Sequence, residues 1–326
     1  MSNYRQMQVI FRRAGLAVAA ALVMVMVSLG VLQLNVQAKR EGGGPGCGGD
    51  LVSLLSTAND GDEILVMTGS DWETNNPRIT KNITIQGGWK FISGLSCSSP
   101  TATFQFVWPG ERSIMTTFNS TPVTPVITLD PSVISLTIQY LDIVNQGGVS
   151  VQGGGINGVI SNGARIFLEN LVIRDTQSTT GGGLYLEVRG GSQLIISGTQ
   201  IINNIGDTGG GFEIHVFDNS QVILRNTQVS TNIAATGNGG GGRIVIDSGS
   251  VTLANSAFFD NQATNGSGGG LSVEGVGSGP ANLILQNTPI SGNIAPADPT
   301  HNNLHIIGDV KVLDKQTFLP IVRKNS

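Results

Sequence analysis

Residues 194–203 (LIISGTQIIN), 222–231 (VILRNTQVST) and 251–260 (VTLANSAFFD) are variants of one ten-residue phrase. Three further copies surround them: 136–145 (LTIQYLDIVN), 166–175 (IFLENLVIRD) and 283–292 (LILQNTPISG). Each copy is apolar at its first and third positions, carries a small or polar turn residue at the fifth, and is mostly apolar again at the eighth. The fifth positions are Tyr140, Asn170, Gly198, Asn226, Asn255 and Asn287, at steps of 30, 28, 28, 29 and 32 residues. One residue beyond four of the copies stands a second column, Asn204, Asn232, Asn261 and Asn293. Glycine clusters follow at 181–183, 209–211, 239–242 and 268–270. After them come short alternating stretches: 184–188 (LYLEV), 212–216 (FEIHV), 244–247 (IVID) and 271–274 (LSVE).

A chain that repeats at such a step builds stacked coils. The pattern predicts an all-β, right-handed parallel β-helix in which each coil contributes three short strands, stacked about 4.8 Å apart on their counterparts. Alternation puts Leu184, Leu186 and Val188 inside and Tyr185 and Glu187 outside. Corners between strands need left-handed backbone, which Gly and Asn accept most readily. Stacked amides can hydrogen-bond from coil to coil, offsetting the cost of burying them. Both asparagine columns, Asn170, Asn226, Asn255, Asn287 and Asn204, Asn232, Asn261, Asn293, are therefore expected to form ladders. A β-propeller blade needs 40 or more residues, and a leucine-rich repeat needs a Leu-rich consensus with a different return; neither fits.

The start of the solenoid should be covered. Residues 50–58 (DLVSLLSTA) read as a short amphipathic capping helix, with Asp50 as N-cap and Leu51, Leu54 and Leu55 on one face. A helix here shields the open end of the core. The expected organisation is an export segment over 1–38, an N-terminal cap over 39–60, the β-helix over 61–308, and a C-terminal cap or tail over 309–326. With Gly61-Asp62, Ile64-Leu65-Val66 and Ile83-Thr84-Ile85 following the helix, residues 47 to 310 resemble the pectin-lyase-like right-handed β-helix superfamily. Phe258 to Asn261, followed by Gly268 to Leu271, resemble the F-x-x-N and G-G-hydrophobic repeats of chlamydial polymorphic outer-membrane proteins. Other coils keep the Asn and replace the Phe, and the chain has no room for the membrane barrel those proteins carry. That resemblance implies a fold and a surface location.

Residues 1–13 carry Arg5, Arg12 and Arg13 and no acid, an uncharged apolar run spans 14–34, and Val36-Gln37-Ala38 precedes Lys39. This is the layout of a secretory signal cleaved after Ala38, or of an uncleaved anchor touching the membrane through residues 14–34. Either way the remainder is expected outside the cytoplasm. Losing residues 1–38 removes three arginines from 18 basic residues and nothing from 22 acidic ones, leaving a net charge of −7. Such a surface repels phosphate backbones and excludes nucleic acid as a partner. The two cysteines, Cys47 and Cys97, are expected to pair in an oxidising compartment.

The chain has 46 glycines in 326 residues and only 12% charged positions, so few side chains are available for chemistry. The candidate column is the outward position after the glycines: Glu187, His215, Asp247 and Glu274, with Glu213 and Arg243 nearby. Solubility alone asks for polar residues there. A lyase of the superfamily would add Ca²⁺ held by carboxylates on adjacent coils, and a hydrolase would need clustered carboxylates. Without either, no cofactor is expected. His215, His301 and His305 show no metal-binding spacing, and His301 and His305 read as a surface loop. Trp72, Trp89 and Trp108 suit packing better than sugar stacking. The expected function is an exported, non-enzymatic surface scaffold for adhesion or contact with polysaccharide or cell-surface glycan. The alternatives are a polysaccharide lyase or glycoside hydrolase using the outward column, and a structural envelope protein.

Overall fold

The computed structural model describes residues 40–43, 51–68, 71–73, 76–93, 103–106, 114–117, 124–145 and 148–314. Residues 1–38, Asp50, Cys47, Cys97, Trp108 and the side chains of Trp72 and Trp89 lie outside the described residues, so the export segment, the N-cap, the disulfide and the tryptophan packing do too. Among the described residues, no helix is long and apolar enough to cross a membrane.

The chain winds as a right-handed parallel β-helix. One coil shows the plan: strands Gln193–Ser197, Gln200–Ile202, Ile205–Thr208 and Phe212–Val216 follow one another, and Ser220–Arg225 begins the next coil directly above the first of them. The corresponding strands stack into sheets of eleven, seven, five and eight strands. We refer to them as the leading, middle, short and closing sheets. Among the described residues, pairing is parallel except for Thr84–Ser93 with Thr103–Phe106. Three strands per coil were expected, and the short sheet is a fourth. It exists because the segments after the buried asparagines, such as Ile205–Thr208, stay extended long enough to pair before the glycines turn the chain.

The ten-residue phrase maps onto the leading and middle sheets. Its first and third positions (Leu194 and Ile196, Val222 and Leu224, Val251 and Leu253) point inward and are buried. The eighth position (Ile201, Val229, Phe258) meets them from the middle sheet, and Leu184, Leu186, Phe212 and Ile214 close the core from the closing sheet. Each such side chain contributes about 1.5–3 kcal/mol by leaving water. Helix Leu51–Thr57 joins the same core through buried Leu51 and Leu55, with Leu54 packed against it.

The two asparagine columns do different work. Asn204, Asn232, Asn261 and Asn293 form one vertical file of buried amides: each Nδ2 donates to the next Oδ1 at 3.0, 3.0 and 2.9 Å. Each backbone N–H in the file also donates to that same oxygen, and each Nδ2 gives its second proton to a middle-sheet carbonyl such as that of Ile173 or Ile201. Thr176 opens the file by donating to Asn204 Oδ1, and Asn303 ends it by accepting from Asn293. Every donor and acceptor of these amides is used, which is what allows full burial.

The other column corrects the expectation of a second ladder. Tyr140, Asn170, Gly198, Asn226, Asn255 and Asn287 all hold left-handed backbone, with φ between 46° and 60°. Of these side chains only Asn287 and Asn255 are hydrogen-bonded to each other, at 3.0 Å. Asn170 and Asn226 have no such rung, because Gly198 between them offers no amide. The selected property is the backbone angle, and the side chains of Asn226, Asn255 and Asn287 face water. The buried ladder beside this corner is made of hydroxyls one residue on, with Leu171 N–H donating to Thr199, Thr227 N–H to Ser256, and Ser256 N–H to Thr288.

Candidate functional site

The glycine clusters set the register of the closing sheet. The first glycine of a cluster, as at Gly181 (φ 62°) and Gly209 (φ 56°), turns the chain. The second lies against the backbone of the short sheet, as Gly210 does at Ile233, and the third against the amide file: a Cβ on Gly211 would sit 2.4 Å from the Gly241 carbonyl and 3.0 Å from the Asn232 amide carbon. The fourth glycine of 239–242 belongs to the strand. Gly242 pairs with Phe212, whose ring occupies the space a Cβ at Gly242 would need, 2.3 Å from the nearest ring atom.

This register corrects the outward column. His215 stands next to Val245, and Val245 next to Glu274, so the file runs Glu187, His215, Val245, Glu274. Asp247 lies two residues further on, beyond the strand, where its carboxylate packs against the turn at Gly277. Counting Gly242 as a corner glycine shifted the expected register by two.

The neighbouring file, Tyr185, Glu213, Arg243, Ser272, His305, holds the stronger constellation. Glu213 is 2% exposed. Thr208 Oγ1 donates to its Oε2 at 2.6 Å, while His215 Nε2 and an Arg243 guanidinium nitrogen each stand 2.7 Å from Oε1. Arg243 also donates to Glu274 Oε2 at 2.7 Å, tying three coils together. Burial pushes the Glu213 carboxyl up, but the hydrogen bonds from His215 and Thr208 and the charge of Arg243 outweigh it and hold the group below its ordinary range. Burial likewise opposes the Arg243 cation, and Glu213 and Glu274 more than compensate, raising its pKa. Tyr185 points outward as expected, yet it is buried to 7% by its neighbours. Its phenol is pushed up to about 12, first by desolvation and then by the Glu187 carboxylate that accepts its proton at 3.2 Å. Glu187 is also ion-paired with Arg189. The His215 ring leans between Tyr185 and Phe217, at 5.5 and 6.2 Å.

The surface therefore presents Glu187, Arg189, His215, Arg243 and Glu274 as a tightly cross-linked polar patch. It is not a cleft. A shallow polar groove of about 200 Å³ lies elsewhere, over Arg165, Gln193, Asn219 and Gln221, below the size that encloses a small ligand. With Asp247 off the file, Glu187 and Glu274 are separated by two coils, which does not supply the convergent oxygens Ca²⁺ takes.

A second constellation sits on the last coil. Asp298, His301 and His305 each bring a potential ligand atom within 4.8 Å of the others. The two imidazoles are 4.6 Å apart. The structure thus gathers into one cluster the two histidines read from sequence as an ordinary loop, and leaves His215 on the other file. Asp298 accepts from Ser267 (2.7 Å) and Thr300 (2.6 Å), faces His301 Nδ1 at 2.6 Å, and is held well below the usual carboxylate range by those bonds. Burial, and then the neighbouring His301, lower the His305 pKa.

No protein-family model matches the chain, and no curated protein matches it. Among solved structures, a GH136 lacto-N-biosidase from Eubacterium ramulus aligns over 84% of this chain and 66% of its own, with 11% identity and a TM-score of 0.31. The chain thus spans just under two thirds of that protein's length.

Proposed function

We propose that the chain is an exported, non-enzymatic scaffold that contacts an extended, uncharged polysaccharide through the closing-sheet patch of Glu187, Arg189, His215, Arg243 and Glu274. One observation carries this reading: the carboxylates on that face are already committed. Cleaving a glycosidic bond requires a carboxyl kept protonated near neutral pH beside a second one left free. Glu213 is held ionised by Arg243, His215 and Thr208, Glu274 is paired with Arg243, and Glu187 with Arg189 and Tyr185. Three carboxylates against two arginines give the patch no positive excess to hold a polyanion, which favours a neutral glycan. Flat, rigid surfaces with side chains repeating about every 4.8 Å suit elongated partners. The secretory layout of residues 1–38 and the outer-membrane-type repeat at 258–271 both support a place outside the cytoplasm.

Screening the purified protein against immobilised neutral and acidic polysaccharides tests this. The expected result is binding to a neutral polymer, weakened at least tenfold in His215→Ala and in Glu274→Gln. Preference for acidic polymers contradicts the charge argument, and binding to none leaves a structural envelope role. Amino-terminal sequencing of exported protein should begin at Lys39; recovery in the cytoplasm with Met1 intact contradicts export.

One observation favours glycan cleavage instead. Glu213 orients His215 at 2.7 Å, as a carboxylate orients a general-base imidazole. New chain ends during the same incubation, abolished in His215→Ala, would select that reading.

A further inference from the structure

We propose that Asp298, His301 and His305 form a binding site for a divalent transition metal, best suited to Zn²⁺, that staples the last coil of the solenoid. Two imidazoles and one carboxylate are a borderline-soft donor set that suits zinc and its late first-row neighbours rather than Ca²⁺ or Mg²⁺.

Three independent features point the same way. First, the ligands come from two elements held in register with the coil below. Asp298 precedes the 3₁₀ turn Pro299–His301, and His305 lies on strand Leu304–Ile307. The connecting backbone is fixed on the glycine corner, where Gly268, Gly270 and Leu271 N–H groups donate to the carbonyls of His301, Asn302 and Asn303 at 2.8, 3.0 and 2.9 Å. Second, the ligands are oriented by outer partners: Ser267 and Thr300 hold the Asp298 carboxylate, as the surroundings of metal-bound carboxylates do. Third, His305 Nδ1 and its register neighbour Ser272 Oγ are the two buried side-chain polar atoms without a hydrogen-bond partner among the described residues. The imidazole that joins the carboxylate and the second imidazole thus carries an unpartnered buried nitrogen, and a metal on that ring fixes which of its two nitrogens bears the proton.

Zinc–ligand distances near 2.1 Å place tetrahedral ligands about 3.4 Å apart. Closing a 4.8 Å spread to that distance takes side-chain rotation on a short turn, with no shift of the coil. His301 Nδ1 now faces Asp298; on binding, the proton between them moves to His301 Nε2 or leaves to solvent, and the metal takes its place. Water fills the remaining position. Asn303, which ends the amide file, lies between the ligands in sequence, so a bound metal would lock the end of that file.

Calorimetric titration of the metal-free protein with Zn²⁺ tests the site. We expect one equivalent of saturable binding and a higher Tm. Affinity should drop at least tenfold in His301→Ala and in His305→Ala, and stay unchanged in His215→Ala. To avoid reliance on variants that fold poorly, the unaltered protein is treated with diethylpyrocarbonate with and without Zn²⁺. Protection of His301 and His305 but not His215 supports the site. Absence of saturable binding, equal loss in His215→Ala, or unprotected His301 and His305 overturns it.

Discussion

The glycine–asparagine corner leads directly into the closing sheet, yet the corner and the outward side of that sheet obey opposite rules. At the corner, the coils from Asn204 to Asn293 repeat the same amide, and those from Gly181 to Gly270 the same glycines, because each amide and each missing Cβ must fit its copy above and below. On the outer surface, successive coils carry Tyr185, Glu213, Arg243, Ser272 and His305, no two alike. Repetition marks what stacking demands, whereas variation marks where the chain is free to build chemistry.

The corner should be the least tolerant. Asn232→Ala removes the oxygen that accepts from both the backbone N–H and the side-chain amide of Asn204, leaves the Ile201 carbonyl short of a partner in the interior, and removes the side-chain bond to Asn261. Urea denaturation should show a loss of about 4 kcal/mol, a sum of several orphaned groups; a loss below 1 kcal/mol would mean that the file is not cooperative. Gly211→Ala forces a methyl into the Gly241 carbonyl at 2.4 Å, and should cost about 3 kcal/mol. Thermal unfolding close to that of the unaltered protein would break the packing argument.

The outer surface should yield less. Arg243→Ala deprives the buried Glu213 carboxylate of its cation, but the arginine side chain is 24% exposed and water would partly replace it. We expect about 2 kcal/mol, under the value for a fully buried pair. Because the folded-state pKa of Glu213 lies below its usual 4.5, its contribution is complete above that pH and is lost as the pH falls through the depressed value. Glu213→Gln should flatten the acid limb of the stability curve, measured as Tm against pH; an unchanged limb would assign acid sensitivity to other carboxylates. The smallest effect belongs to the exposed corner column. Asn226→Ala should lose about 1 kcal/mol for left-handed backbone, and Asn226→Gly almost nothing. Equal losses in the two would show that the Asn226 side chain matters after all.

The coils were legible in the sequence because stacking constrains residue type at a fixed step. The core positions of the ten-residue phrase could be read directly, as could the Asn204–Asn293 file. Two details were hidden. Gly242 looks like its neighbours, and only the Phe212 ring beside it reveals that it belongs to a strand, which is why Val245 and not Asp247 joins the outward file. Asparagine serves both as ladder and as left-handed corner, and letters alone do not separate the roles. The polar constellations were less visible for the reason the comparison gives. Glu213, Arg243 and Glu274 stand about 30 positions apart, alternate in charge and come from two neighbouring files, and no periodicity announces an ion-pair chain built that way. Asp298, His301 and His305 converge because a 3₁₀ turn leads into a strand, a geometry without a spacing signature of its own.

The central functional claim is that the closing-sheet patch holds a glycan without cutting it. Prolonged incubation of the protein with the polysaccharide it binds best, followed by assay of new reducing ends and of unsaturated sugar products, tests this directly. The account predicts that polymer length stays constant while binding persists. Steady release of shorter chains, stopped by His215→Ala or Glu213→Gln in a folded variant, would contradict it.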